Sequence, residues 1–234
     1  LSIFNNRRLK RNNRELLKLD LVISKLPHLL EGSVVTLQLT VVAVIFGMIL
    51  GLFLALGRLS KNIVIDKICW FYIWLFRGTP LIMQIFFFYY GLPLIFGNAM
   101  SFSAMTNAYI ALSLNSAAYL AEIIRAAIQS IDKGQMEAAK ALGMSYGQAM
   151  RRIIVPQSYR RLIPPVGNEV IALLKDSALV STIGMAELLR NTTQIVNSTG
   201  NALIYLPSAA LYLLMTSLFT FIFEKLEKKY SVYE

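Results

Sequence analysis

From Ser33 to Leu56 the sequence carries 24 consecutive residues without a charge, SVVTLQLTVVAVIFGMILGLFLAL. A stretch of that length and apolarity reads as a helix crossing a bilayer, because about 20 residues at 1.5 Å each cover the hydrocarbon core. Gly47 and Gly51 within it form a small-xxx-small face that lets a second helix approach closely. The whole chain of 234 residues is 56% hydrophobic and only 15% charged, which leaves room for four to six spans and for no large soluble domain beside them.

Four further segments fit the same pattern. Residues 80–96 form a second span, preceded by Ile63–Phe76, a Trp- and Tyr-rich stretch too short to cross and suited to the interface. Thr79 reads as an N-cap and Pro80 as a first helical residue. Gly91 and Pro93 predict a kink or an early end. The third span covers 105–124 and carries Asn115 and Glu122. The fourth, 162–183, holds Pro164, Pro165, Asn168, Glu169, Lys175 and Asp176, and a span this polar must face protein or water. The fifth covers 202–223. Upstream, residues 1–31 read as a basic tail and an interfacial amphipathic helix in which Leu16, Leu19, Val22 and Ile23 share a face and which Pro27 interrupts. The opening LSIFNNRRLKRNNR does not read as a signal peptide.

The net charge of +10 lies at the ends of the apolar runs, so it points to lipid headgroups and topology rather than nucleic acid. Basic residues follow spans one, three and five, while the loop after span two is uncharged. By the positive-inside rule the former side is cytoplasmic, which puts the C-terminus inside and the N-terminus outside. Arg7, Arg8, Lys10, Arg11 and Arg14 argue against that orientation. Cys69 and His28 are each the only residue of their kind, so neither a disulfide within the chain nor a Cys/His metal cage is expected.

The loop between spans three and four is long and patterned. Residues 137–142 are strong helix formers. Gly143 suits a left-handed helix end, Ser145 caps a second helix to about Ile154, and Pro156 stops it. A helical hairpin therefore projects from the membrane with Ala138, Ala139 and Met144 exposed, as a knob for a partner's groove. Its residues resemble the EAA signature of ABC importer permeases: Glu137-Ala138-Ala139, then Gly143, Ile153 and Pro156 at that motif's spacing, with Val155 where Leu is usual. Arg77-Gly78-Thr79-Pro80, Tyr89-Tyr90-Gly91, Ala118-Tyr119, Pro164-Pro165 and Lys175-Asp176-Ser177 extend the resemblance across about residues 30–224 to the polar amino-acid branch of that family. Ser177-Ala178-Leu179 departs from the branch's usual Thr-Ser-Leu.

The resemblance implies an all-α, five-span type I importer fold. The permease domain is 32–224 with a coupling segment at 134–157, and 225–234 is a cytoplasmic tail. It implies a polar or cationic amino acid as substrate and the bacterial inner membrane. It also implies three protein partners: an ATPase subunit carrying ATP and magnesium, a second permease as homo- or heterodimer, and an extracytoplasmic binding protein. Glu137, Ala138, Ala139, Gly143 and Met144 would contact the ATPase. The chain has no G-x-x-x-x-G-K-[ST] loop, so no cofactor and no hydrolysis are expected of it. A stand-alone secondary transporter or channel is the competing reading, but no internal repeat is visible.

Substrate candidates follow from polarity inside the spans. Asn115 and Glu122 are two turns apart on one helix face, about 10.5 Å along the axis. Glu122 either meets a ligand cation or pairs with Arg125 at i,i+3. Asp176, Ser177 and Gln84 complete the set. Lys175 reads as an ion-pair partner and Arg77 as an interfacial anchor.

Overall fold

The computed structural model describes residues 2–230, with side chains from Asp20 onward except Asn98. The basic residues of the N-terminal tail, Leu16 and Leu19 therefore lie outside the described side chains, and residues 231–234 lie outside the described chain. Among the described residues there is no strand. The α-helices are α1 (Ser2–Arg58), α2 (Ile63–Gly78), α3 (Leu81–Phe86), α4 (Leu92–Phe96), α5 (Ala104–Gln129), α6 (Lys133–Ala141), α7 (Tyr146–Ala149), α8 (Val155–Asp176), α9 (Leu188–Thr199) and α10 (Tyr205–Tyr230).

Two segments, Asp20–Arg58 and Ala202–Tyr230, are long and apolar enough to cross a membrane alone. Ile63–Gly78 with Leu81–Phe96 makes a third candidate, bent by 104°. At 26 and 22 residues, α5 and α8 match a bilayer in length but carry polar groups. Their placement resolves this: α5 lies at the centre against α1, α2, α3 and α8, and its Asn107, Asn115 and Ser116 are buried in protein. α1, α5, α8 and α10 overlap the expected first, third, fourth and fifth spans, although α8 ends at Asp176 rather than 183. The expected second span, 80–96, is broken into α3, a turn and α4 and bends away from α2 by 104°.

Close approach of α1 to α5 depends on the two glycines. A Cβ at Gly47 would stand 3.1 Å from the Ser116 Cβ, and one at Gly51 would stand 3.0 Å from the Ala117 carbonyl oxygen. The facing residues Ala117, Ala118 and Ala121 are fully buried, so the seam is one of small residues, as van der Waals packing in lipid favours.

Three sequence expectations are corrected. Pro27 does not interrupt α1, which runs through it. Contacts just beyond hold the helix in line: Leu29 is fully buried, and the Asn191 amide donates to the His28 carbonyl at 2.9 Å. No break therefore separates the N-terminal segment from the first span. Thr79 does not cap α3. It ends α2 in an extended conformation, and Pro80 occupies the N-cap position without a side-chain bond. Pro156 does not end its helix. A π-helical turn, Met150–Ile154, sits immediately before it, with the Val155 N–H bonded to the Met150 carbonyl. A wide turn is where a helix accommodates a missing donor. The helix then continues from α7 through α8 without a gap. The expected kink near Gly91 is likewise a π turn, Phe87–Gly91.

A buried carboxylate fixes the region after α8. Glu187 is fully buried and caps α9, accepting from the N–H groups of Leu189 at 2.8 Å and Arg190 at 2.6 Å. The Tyr212 hydroxyl donates to it at 3.0 Å. The Leu188 N–H donates to Thr36 at 3.3 Å. These bonds join α9 to α1 and α10 and leave little of the carboxylate unsatisfied, as burial requires.

Candidate functional site

The 104° break between α2 and α3 opens the wall of a polar cavity of about 450 Å³, within the 300–1,000 Å³ or so usual for small-ligand sites. Arg77, Thr79 and Pro80 of the break line one side, Asn115 and Tyr119 of α5 the second, and Glu169, Ala172 and Asp176 of α8 the third. Glu169 and Asp176 are seven residues apart, so two turns of α8 present both carboxylates on one face.

Gln84 holds the break. It is buried, and its amide nitrogen lies 2.8 Å from the Phe76 carbonyl, 3.1 Å from the Thr79 carbonyl and 2.8 Å from the Thr79 hydroxyl. Its oxygen accepts from the Asn115 amide at 3.0 Å. Asn115 also reaches the Phe76 carbonyl at 3.3 Å. One amide pair thus satisfies the backbone groups that the broken helix exposes.

Arg77 is oriented from two directions. Its guanidinium lies 5.2 Å from the centre of the Tyr119 ring, a cation–π distance, and 3.9 Å from the Glu122 carboxylate. Glu122 is itself engaged by Arg125, at 3.0 and 2.6 Å, so it is a distant partner for Arg77. Arg77 also lines the cavity. On the opposite wall, Glu169 accepts from the Ser116 hydroxyl at 3.2 Å.

The cavity therefore unites Asn115 and Asp176 of the expected set and leaves three others off its wall. Glu122 sits in the i,i+3 pair with Arg125. Gln84 turns its polar atoms to the α2–α3 break. Ser177 is fully buried and donates back to the Leu174 carbonyl at 2.7 Å. Arg77 lines the cavity instead of serving only as an anchor, and no ion pair joins Lys175 to Asp176 among the described residues. Sequence reasoning passed over Glu169. The available signal was its i,i+7 relation to Asp176 within the one span too polar for lipid.

At the far end of α8 stands the hairpin. Asp132 and Ser145 cap its two helices, Ser145 in a full capping box with Gln148. Gly143 has φ +78, with the Met144 N–H bonded to the Ala139 carbonyl and the Gly143 N–H to the Lys140 carbonyl. These are the two bonds of a Schellman turn. The exposed knob differs from the expected one. Ala139 is buried and Met144 half-buried, because α6 packs that edge against the second helix. Glu137, Ala138 and Gly143 are exposed, and Leu142, 83% exposed, forms the apolar tip.

Apolar helices around a polar cavity, with a structured hairpin standing clear of the bundle, define a membrane permease. The chain belongs to the family of binding-protein-dependent transport system inner membrane components, which residues 47–232 match. It is 43% identical over 208 residues to the arginine transport system permease protein ArtQ of Bacillus subtilis (strain 168), covering 88% of this chain and 94% of ArtQ. It is 36% identical over 208 residues to the glutamine transport system permease protein GlnP of Escherichia coli (strain K12), with 88% and 94% covered. A crystal structure of an amino acid ABC transporter with histidines superposes with a TM-score of 0.83 at 41% identity, over 88% of this chain and 96% of that one. The inward-facing MetNI methionine ABC transporter matches at TM-score 0.74 and 21% identity, over 86% and 95%, a likeness of fold. The fold is that of type I ABC importer permeases, and the chain is a permease subunit of such a system, not a stand-alone carrier.

Proposed function

We propose that this permease imports a cationic amino acid, bound between Arg77 and the carboxylates of Glu169 and Asp176. The cavity wall offers one guanidinium against two carboxylates, so its formal charge complements a ligand of net charge +1. Arg77 suits the α-carboxylate, because a planar guanidinium donates two parallel hydrogen bonds. Glu169 and Asp176 suit the two cationic groups, and Asn115 supplies a neutral polar contact. The names of ArtQ and of the histidine-bearing transporter support an amino-acid cargo.

One observation carries the mechanism: the hairpin and the cavity carboxylates share a continuous helix. From Tyr146 through the π turn to Asp176 the backbone stays helical, so a push on the hairpin is delivered along α8 to Glu169 and Asp176. The pusher is a separate ATPase subunit holding ATP and magnesium, with Leu142, Glu137 and Ala138 in its groove and Gly143 shaping the knob. A second permease and an extracytoplasmic binding protein complete the assembly. The hairpin then faces the cytoplasm, the N-terminus lies outside, and the host membrane is a bacterial inner membrane.

The test is uptake by the reconstituted complex. Arg77→Gln is expected to raise KM about 10- to 100-fold, since a hydrogen bond to a charged group contributes about 1.5–3 kcal/mol. Asp176→Asn is expected to weaken cationic substrates more than neutral ones. Wild-type KM in both variants would overturn the cavity assignment.

A further inference from the structure

We infer that the groove where the hairpin's base meets the end of α10 binds the headgroup of an anionic phospholipid. The importer reading enters only in naming the leaflet as cytoplasmic. The groove is larger than the substrate cavity, about 800 Å³, and Arg152, Arg160 and Arg161 contribute to its walls together with Tyr159 and Tyr230. Among the described residues that line it there is no carboxylate. The nearest in sequence, Asp132, is occupied in capping α6.

Three features point to a lipid. The first is position. Tyr159 and Arg161 precede the apolar part of α8, and Tyr230 ends α10, so the groove lies where the bundle leaves the membrane. Tyrosines concentrate at that depth. The second is chemistry. Arginines flank a floor that includes Ile131, Ile153 and Pro156, a combination that fits a phosphate joined to an apolar chain. Basic pockets between helices at the cytoplasmic face bind such headgroups. A free phosphate has no use for the apolar floor. The third is preorganisation. The Arg161 guanidinium donates to the Ser130 carbonyl at 2.6 Å, and the Gln157 amide donates to Gln135 at 3.2 Å. These bonds tie the start of α8 to the end of α5 and to α6. The Tyr159 and Tyr230 rings meet edge-on at 6.3 Å.

The experiment uses the intact transporter complex, delipidated in detergent and titrated with phosphatidylglycerol or phosphatidylcholine under native mass spectrometry. Phosphatidylglycerol is expected to be retained preferentially. Arg152→Gln should weaken its retention about fivefold, the contribution of one basic residue near a charged headgroup. Arg152→Lys should restore most of it, and Lys61→Gln, exposed on the same side but outside the groove, should not change it. Tyr230→Ala, on the α10 wall of the groove rather than on the hairpin itself, should weaken retention too and serves if Arg152→Gln fails to fold. Equal retention of the two lipids, equal loss in Lys61→Gln, or displacement by millimolar inorganic phosphate would overturn the inference. So would an Arg152→Gln complex that sheds its ATPase while keeping its lipid, since the groove would then be a protein contact.

Discussion

Gln84→Leu tests whether the broken helix is what builds the cavity. The substitution keeps the approximate volume and removes every polar atom of the side chain. The two amide protons of Gln84 are shared among three contacts, to the Phe76 carbonyl and the Thr79 carbonyl and hydroxyl, its oxygen accepts a fourth contact from Asn115, and leucine can form none of them. The four do not count equally. The Phe76 carbonyl keeps Asn115 as a donor at 3.3 Å. Thr79 is exposed, so water can replace its partner. The uncompensated loss is the Asn115–Gln84 bond, together with the geometry of the bend. Polar contacts between membrane helices average about 0.6 kcal/mol, and an orphaned buried group costs about 1–3 kcal/mol. The expected destabilisation of the bend is therefore about 1–2 kcal/mol, a factor of about 5–30 in the population holding Arg77 against the cavity. Substrate KM should rise by up to that factor, with the maximal rate less affected. The same protein should unfold at lower temperature in detergent, which can be followed by a thiol-reactive dye on Cys69, the chain's only cysteine. Wild-type KM and thermal midpoint together would refute the reasoning.

Other variants probe separate parts of the structure. Gly143→Val places a β-branched residue at φ +78, costing about 1–2 kcal/mol locally, and should lower the ATPase-to-permease ratio in purified complexes. Leu142→Glu alters the exposed tip without touching the bundle, so it should abolish ATPase docking while leaving the permease monodisperse by gel filtration. Gly32→Ala puts a Cβ 2.8 Å from the Leu188 Cα, a backbone atom that cannot rotate away, and should destabilise by about 1–3 kcal/mol in thermal melts. Glu187→Gln keeps the shape but weakens the cap on α9 and the Tyr212 bond. It should lower the melting temperature with little change in KM, because Glu187 is not on the cavity wall.

Local signals in the sequence carried most of the architecture. The charge-free run at Ser33–Leu56, the small face of Gly47 and Gly51, and the turn chemistry of Gly143 and Ser145 each act over one or two helical turns, and the structure has them as read. The misread points depend on partners far along the chain. Pro27 and Pro156 are strong stops in isolation, yet one is held in line by Asn191 and the other is absorbed by a π turn. Thr79 has the chemistry of a cap, but Gln84 engages its hydroxyl and carbonyl. The site was half legible for the same reason. Asn115 and Asp176 stood out as polar groups in spans. Whether a carboxylate such as Glu122 or Glu169 faces the cavity depends on the 104° bend, which brings Arg77 opposite α8, and no periodicity within α5 or α8 encodes that juxtaposition.

The central claim is that α8 joins an ATPase-driven hairpin to a cavity for a cationic amino acid. The most direct measurement is uptake of radiolabelled arginine into proteoliposomes holding the permease with its co-purifying ATPase, with binding protein on the outside and ATP within. Uptake is expected to require all of these components and to fall to background in Leu142→Glu. Uptake by the permease alone without ATP, or full uptake in Leu142→Glu, would contradict the account.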